Sequence, residues 1–390
     1  RLASEQVRNT LASSASISPQ TTETYTNTLF SLTPFIRRQL DPETEFEARV
    51  GRTWLRIKED RTSATRRPDS DLTAAELRLH RQPTRLGYEL DFSDQRTKVD
   101  GQSDSALVLT RGTASLLYRL FTELEIGGIV GHENTKVLTS DVSDSVSGVR
   151  WRWQPTERTH FDGQLTHHFY GQGWRIDATH RAPWLALGLF SRRGIETYAS
   201  SLAALQAGSS VRTALGNILT TRVPNPAERD AAVDAIMRNN ALPETLQTAR
   251  DLFSLNASLR QDTGGQLTLL GRRDIVLFSS GYARSTPING LEALIPVNAI
   301  KEYYFDTQIS HRLTPESTLT GGLRWTRTYT TLTNQDTRRG RDFSWNAAFN
   351  QQLSPRTTTT IGLRRLITHN PLAINSRGET AVFVGVGHRF

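Results

Sequence analysis

Two adjacent histidines, His167 and His168, come closest to a reactive centre in this sequence. Asp162 and Asp177 lie nearby, and a histidine oriented by a carboxylate serves many hydrolases as general base. Neighbouring residues of a strand point to opposite faces, so the two histidines cannot serve one site. No serine stands in a G-x-S-x-G turn, and no spacing of histidines or carboxylates indicates a metal site. We therefore expect neither an enzyme nor a cofactor.

Arginine carries more information about function than histidine does. The 390 residues have a formal net charge of +8 and contain no cysteine, which excludes disulfides and thiolate metal sites. A basic chain suits a nucleic acid, an anionic surface or an anionic solute in a pore. In segments that alternate apolar and polar residues, several arginines share the polar parity. They are Arg49, Arg150, Arg152, Arg175, Arg181, Arg324, Arg364 and Arg389.

These arginines permit two interpretations. Rings of arginine hold carboxylates or phosphates and select anions in pores, which predicts a lumen that binds an anionic substrate. Acidic residues occupy the same parity, however, so the arginines could instead form ladders with carboxylates that stiffen a polar interior. The acidic residues are Glu45, Glu47, Glu123, Glu125, Asp162 and Asp177. The sequence leaves both interpretations open.

The last strand, residues 379–390, indicates which kind of protein holds these side chains. Val382, Val384 and Val386 share one parity with Phe390, whereas small or polar residues occupy the other. Such a strand, ending on an aromatic residue, is typical of the final strand of a bacterial outer-membrane β-barrel. Other segments alternate in the same way. Their apolar sides are predicted to face lipid, and include Trp151, Trp325, Phe343, Trp345 and Phe349.

The spacing of turns and loops supports this interpretation. Short turns built on Pro with Asp, Ser or Thr recur, as in residues 40–44, 313–317 and 353–357. Longer polar segments alternate with them: 58–71, 93–105, 133–145, 334–342 and 369–379. Short periplasmic turns and long outer loops are the asymmetry of an outer-membrane barrel. We predict one all-β, antiparallel transmembrane barrel over 1–390, with about eighteen strands, sixteen as the alternative, and both termini in the periplasm.

Residues 200–249 break the alternation and predict an insertion of helices. Asn225 is a plausible N-cap, with Pro226 at the first helical position and Glu228 at the third. A shorter helix is predicted over 211–219. Strand parity places the start of this insertion at the outer side of the barrel. It could plug the pore, cap its mouth or remain a loop in solvent.

The chain resembles outer-membrane proteins associated with PEP-CTERM/exosortase exopolysaccharide loci. The resemblance is carried by three segments and the SPRT-type turns: TYTNTLFSLTPFIRR (24–38), NPAERDAAVDAIMRNNALP (225–243) and LLGRRDIVLFSSGYARS (269–285). It covers most of the chain and includes no catalytic signature. That family has no established biochemical activity. Its genomic setting implies a part in surface polysaccharide secretion in the outer membrane of a Gram-negative bacterium.

Three functions follow from these observations. The first is a conduit for exopolysaccharide, working with periplasmic export components. The second is a general or anion-preferring diffusion porin, and the third is an outer-membrane anchor for a larger assembly. The expected partners are outer-membrane lipid and lipopolysaccharide, together with an anionic polysaccharide under the first function. We expect no nucleic-acid partner.

Overall fold

A single antiparallel sheet forms the protein, and each strand pairs with the next along the chain. The computed structural model describes residues 2–7, 25–59, 69–99, 107–137, 140–196, 211–240, 242–243, 258–288, 297–332, 336–354, 356–369 and 376–388. The first nine strands are β1 (Leu2–Val7), β2 (Tyr25–Leu32 and Phe35–Gln39), β3 (Thr44–Glu59), β4 (Ser70–Arg81), β5 (Leu86–Val99), β6 (Leu107–Phe121), β7 (Leu124–Val137), β8 (Ser140–Thr156) and β9 (Thr159–His168). The others are β10 (Gly171–Ala182), β11 (Leu185–Glu196), β12 (Ser258–Leu270), β13 (Asp274–Pro287), β14 (Val297–Arg312), β15 (Ser317–Leu332), β16 (Thr337–Ser354), β17 (Thr357–His369) and β18 (Ser376–His388).

Strand β2 is one strand in two segments, because both segments pair with β3. Thr33 and Pro34 separate them, and proline has no backbone N–H for the ladder. Counted in this way, the sheet has eighteen strands, which confirms the predicted number and the all-β antiparallel class.

The two faces of the sheet are inverted relative to a soluble protein. Large apolar side chains on the outward face are exposed, including Leu116 at 63%, Val130 at 64% and Val382 at 70%. The inward face buries polar side chains such as Asp306 and Ser310. An antiparallel ladder with an apolar exterior and a polar interior is the architecture of a transmembrane barrel of the outer-membrane type.

The predicted lipid-facing aromatics lie on the outward face. Phe349 is 38% exposed and pairs in register with Leu319, another outward residue. Trp151 lies over Gly163 of β9, where any side chain would collide with its ring. Within the part of the chain that is described, no helix has the length and apolar content needed to cross a membrane.

The inner face is strongly concave. Arg150 on β8 and Glu89 on β5 are three strands apart, yet Nη1 of Arg150 lies 2.7 Å from Oε1 of Glu89. On a flat sheet three strand spacings amount to about 14 Å, which the two side chains could bridge only by lying fully extended along the sheet, so the contact favours an inward-curving wall. The ion pair therefore joins β5 and β8 across part of the lumen, over the strands between them.

The two ends of the barrel differ, and we call them the turn end and the loop end. Turns of two to four residues close the turn end. Residues 271–273 join β12 to β13, and residues 313–316 join β14 to β15. The loop end is less uniform than predicted. Segment 133–145 was expected to be a loop, but β7 continues to Val137 and β8 begins at Ser140. Gly171, with φ at 89°, makes another tight connection there.

The prediction for 133–145 was wrong because polar composition does not exclude a strand beyond the lipid band. Glu133 and Thr135 are each 2% exposed and face the interior, so the pairing continues although neither face needs apolar residues there. Strands also extend into the other predicted loops, since β3 reaches Glu59 and β5 reaches Val99.

Two helices form within the insertion: α1 (Val211–Leu219) and α2 (Pro226–Asn239). Both had been predicted from the sequence. Oδ1 of Asn225 accepts a hydrogen bond from the backbone N–H of Ala227 at 3.0 Å, and its Nδ2 donates to Glu228 at 3.3 Å. Asn240 ends α2, and its backbone N–H donates to the carbonyl of Ile236 at 3.1 Å.

Candidate functional site: the lumen and its helical insertion

The two helices pack against the inner face of the barrel wall. Leu215 of α1 and Val233 of α2 form an apolar cluster with Ile275 and Leu277 of β13. Leu215 and Leu277 are fully buried. Val211, Leu219 and Met237 complete the buried cluster. An ion pair between Arg212 and Asp234 joins the helices to each other. The insertion therefore has its own small apolar core, which it shares with the wall.

A sequence signal for this docking site exists and was missed. Residues Ile275–Phe278 are an unbroken run of four large apolar residues, in place of the alternation seen in strands such as β15 and β16. Val276 and Phe278 have the outward parity, so Ile275 and Leu277 must be covered from inside. An apolar pair on the lumenal parity thus indicates that something other than water fills the lumen beside β13.

The end of α2 lies near the turn end of the barrel. The hydroxyl of Ser310 donates to the carbonyl of Asn240 at 3.1 Å, and the hydroxyl of Thr318 donates to that of Asn239 at 3.2 Å. Ser310 and Thr318 flank the turn between β14 and β15. The insertion starts after Glu196, at the loop end. The described part of the insertion, residues 211–240, therefore lies towards the opposite end of the barrel from Glu196.

Most of the predicted lumenal arginines contact carboxylates. Six form ion pairs: Arg49 with Glu47 and Glu76, Arg150 with Glu89, Arg152 with Glu125 and Asp162, Arg175 with Asp177, Arg324 with Asp306, and Arg364 with Glu379. Arg181 instead donates to the backbone carbonyl of Glu157 at 3.0 Å. Arg389 lies outside the described residues. The wall brings these arginines together with acids rather than in a ring of free cations.

The Arg324–Asp306 pair shows why the acids are there. Asp306 is 2% exposed, and its Oδ2 accepts from Nε and Nη2 of Arg324 at 3.0 and 2.8 Å. A charge with so little access to water requires a close opposite charge. Asp306 and Arg324 are directly opposite in the register of β14 and β15, so alternation places both on the inner face.

A second cluster, formed by Thr166, His168, Glu133 and Arg111, superficially resembles a hydrolase triad. Nε2 of His168 lies 2.7 Å from the hydroxyl of Thr166, and its Nδ1 lies 2.9 Å from Glu133. Thr166, His168 and Glu133 are all buried. Glu133 also accepts two hydrogen bonds from Arg111, at 2.9 and 3.1 Å. A substrate has no access to this hydroxyl, so the cluster links β6, β7 and β9 structurally.

Glu133 escaped the sequence analysis for the same reason that β7 was predicted too short. Glu133 was placed in a loop, and alternation had no means of assigning it to the inner face. His167, by contrast, is exposed and points away from His168, as strand geometry requires. Among the described residues, no group of three or more His, Asp or Glu is arranged to hold a metal ion.

Comparisons with known proteins identify no family. No protein-family model matches the sequence, and no curated protein matches it. Among solved structures, the chain is similar to the siderophore receptor PirA from Pseudomonas aeruginosa, with 10% identity, a TM-score of 0.43, and coverage of 92% of this chain and 62% of that one. The siderophore receptor PirA from Acinetobacter baumannii has 7% identity and a TM-score of 0.45, with coverage of 93% of this chain and 64% of that one. OccK11 (OpdR) from Pseudomonas aeruginosa has 9% identity and a TM-score of 0.32, with coverage of 94% of this chain and 96% of that one.

The chain spans less than two thirds of the length of the two siderophore receptors. The assignment as a barrel of the outer-membrane type rests on the ladder of this chain and on its exposed apolar exterior. Barrels of this kind reside in outer membranes, where closure of the sheet satisfies the backbone in lipid.

Proposed function

We propose that the protein is an outer-membrane conduit whose lumen is narrowed by its own helical insertion. One observation carries this proposal: α2 ends against Ser310 and Thr318 on the inner face near the turn end, although the strand before the insertion, β11, ends at the loop end. A barrel of about eighteen strands encloses an aqueous lumen unless protein fills it. Passage of a large solute then requires the insertion to be displaced.

The cargo that we propose is exopolysaccharide, in line with the family resemblance. The inner face offers hydroxyl, guanidinium and carboxylate groups, which can hydrogen-bond a glycan. Because the arginines are paired with acids, a charged glycan would meet weak and repeated contacts, and conduction needs binding loose enough to release. We place the turn end and both termini in the periplasm. Export components there would meet the turn end, close to which α2 ends.

A diffusion porin is the second candidate, favoured by the charge-balanced polar wall. A small solute needs no polymer-specific contact, and such a wall suits solutes of either sign. The two candidates make different demands on the insertion. A polymer must push it aside, whereas small solutes could pass beside it. A non-transporting anchor would leave the conductance of the full chain negligible.

The restriction of the lumen can be tested by single-channel conductance in planar bilayers. We compare the full chain with a variant in which residues 205–250 are replaced by a short Gly/Ser linker. Conductance is expected to rise several-fold, because the helices no longer occupy the lumen. Deletion of 61–67, between β3 and β4 in the sequence and outside the insertion, is the control and should leave conductance unchanged. An unchanged conductance in the first variant, with the barrel assembled, would contradict the restriction.

The cargo can be tested with a cross-link that holds the insertion in place. Oγ of Ser310 lies 3.4 Å from Oδ1 of Asn240, so Asn240→Cys with Ser310→Cys brings two thiols together in a chain that has no other cysteine. Oxidised cells should carry less surface polysaccharide than cells with either single substitution, and reduction should restore it. Equal surface polysaccharide in all strains would move the assignment to the porin or the anchor.

A further inference from the structure

A cluster of cations faces outward near the loop end of β13–β17. It consists of Arg284, Lys301, Arg327, Arg339, Arg341 and Arg365, which we call the outer basic patch. All share the parity of outward residues such as Trp325, Phe343 and Trp345. In the strand register Arg284 is directly opposite Lys301, and Arg327 is directly opposite Arg341. Like charges directly opposite each other destabilise a sheet unless a counter-charge lies between them.

The protein supplies no such counter-charge in the part of the chain that the structure describes. None of the six cations forms an ion pair with a described carboxylate. Three cations on the opposite wall, also outward and near the loop end, do have partners. Arg52 lies 3.3 Å from Asp71, Arg96 lies 2.9 Å from Asp94, and Lys136 lies 3.1 Å from Asp141. Lys98 on that wall forms no ion pair with a described carboxylate, so cations without partners are concentrated in the outer basic patch but not confined to it.

The depth of the patch matches a lipid headgroup. Arg284, Lys301 and Arg327 lie about ten residues along their strands from the turn end, which is roughly the length of a membrane-spanning strand. Aromatic rings lie beside and below them. Tyr282 and Tyr303 are 5.0 Å apart between ring centroids, and the guanidinium of Arg327 lies 5.1 Å from the centroid of Tyr329. Tyrosines mark the membrane–water interface.

We propose that the outer basic patch binds the phosphorylated glycolipid of the outer leaflet, lipopolysaccharide. Arginine holds phosphate with paired N–H donors, and a phosphate between opposed cations would relieve their repulsion. The acyl chains would then lie along the apolar outward face closer to the turn end, where Phe278 and Phe305 form an edge-to-face pair at 5.2 Å. This site takes a lipid on the outer wall and is separate from the lumen. It requires that the loop end faces outside the cell.

The test is native mass spectrometry of the detergent-purified barrel with added diphosphoryl lipid A. The variant is Lys301→Gln/Arg327→Gln/Arg341→Gln. Its matched control, Arg52→Gln/Arg96→Gln/Lys136→Gln, removes three outward cations near the same end of the opposite wall. Because charge-assisted hydrogen bonds to phosphate are strong, the variant should bind lipid A about tenfold or more weakly. The control should bind as the wild type does. Heat-modifiable gel mobility verifies that each barrel is folded.

Two further probes decide between explanations. Dephosphorylated lipid A should bind all three proteins equally, since only the phosphates of lipid A bind the cations of the outer basic patch. Phosphatidylglycerol should bind more weakly than diphosphoryl lipid A, because it carries one phosphate instead of two. Equal lipid A affinity in variant and wild type, an equal loss in the control, or wild-type affinity for phosphatidylglycerol matching that for lipid A would each overturn the proposal. None of these readouts depends on transport, so they are independent of the conduit.

Discussion

Arg324 and Arg327 are three residues apart on β15 and face opposite sides of the barrel wall. Arg324 points inward and forms two hydrogen bonds with the buried carboxylate of Asp306. Arg327 points outward, is exposed, and lies over Tyr329 without an acidic partner among the described residues. Strand β15 thus places one arginine in the polar interior and another at the outer surface of the barrel. The interior requires a protein counter-ion, whereas at the membrane interface the lipid can supply one.

The comparison also shows why a net charge of +8 does not predict the charge that lines the lumen. Six predicted lumenal arginines face acids across the wall, so their charge is largely cancelled where a solute would pass. Six cations without an acidic partner among the described residues lie instead in the outer basic patch on the outward face.

Removal of the inner arginine should have the largest effect. Arg324→Gln leaves the carboxyl group of Asp306 nearly inaccessible to water and without its partner, and breaking a buried pair from one side typically costs about 3–5 kcal/mol. Urea-induced unfolding from lipid vesicles measures the loss. The double variant Arg324→Gln/Asp306→Asn should recover most of it. A double variant as unstable as the single one would mean that the pair is not the cause.

A cation introduced on the outward face inside the lipid band should come next. Phe349 is outward and five residues from the end of β16 at the turn end, close to the bilayer midplane. Phe349→Arg is expected to lower the unfolding free energy by about 2–4 kcal/mol. Phe349→Leu, which stays apolar, serves as control. If the arginine variant unfolds like the wild type, Phe349 does not face lipid.

Loss of the outward arginine should have little effect on folding. Arg327→Gln removes no protein ion pair, so in vesicles without lipopolysaccharide its unfolding free energy should stay within about 0.5 kcal/mol of the wild type. This result would sharpen the contrast with Arg324→Gln on the same strand. A destabilisation as large as that of the inner substitution would show that Arg327 has a structural partner.

Asp41 lies in a turn outside the membrane-spanning strands, and its substitution should have the smallest effect on stability. Its carboxylate accepts the backbone N–H groups of Glu43 and Thr44, each at 2.8 Å, and these hydrogen bonds lower its pKa. A lowered pKa stabilises the turn above the carboxyl's unfolded pKa, and this contribution is lost as pH falls through the folded pKa. Asp41→Asn should therefore flatten the acidic part of a melting-temperature profile slightly. An identical profile would contradict the assignment.

Much of the barrel was predictable because alternation determines which way each side chain faces. The inward set containing Arg150 and Arg324, the outward set containing Phe349, and both helices followed from periodicity and capping residues. Alternation gives the face but not the partner. Contacts between distant strands, such as Arg150 with Glu89, depend on the curvature of the closed wall. The position of the insertion depends on Ile275 and Leu277, whose significance appears only once their face is known.

The most direct test of a charge-balanced lumen is the reversal potential in a potassium chloride gradient. It is best measured on the variant lacking residues 205–250, in bilayers without lipopolysaccharide. The pairing of the wall predicts a potential close to zero. Substituting Arg150, Arg152, Arg324 and Arg364 with Gln together should shift it towards cation preference, since their carboxylates remain. A strong anion preference before substitution, lost in the fourfold variant, would contradict this account and make the arginines an anion filter.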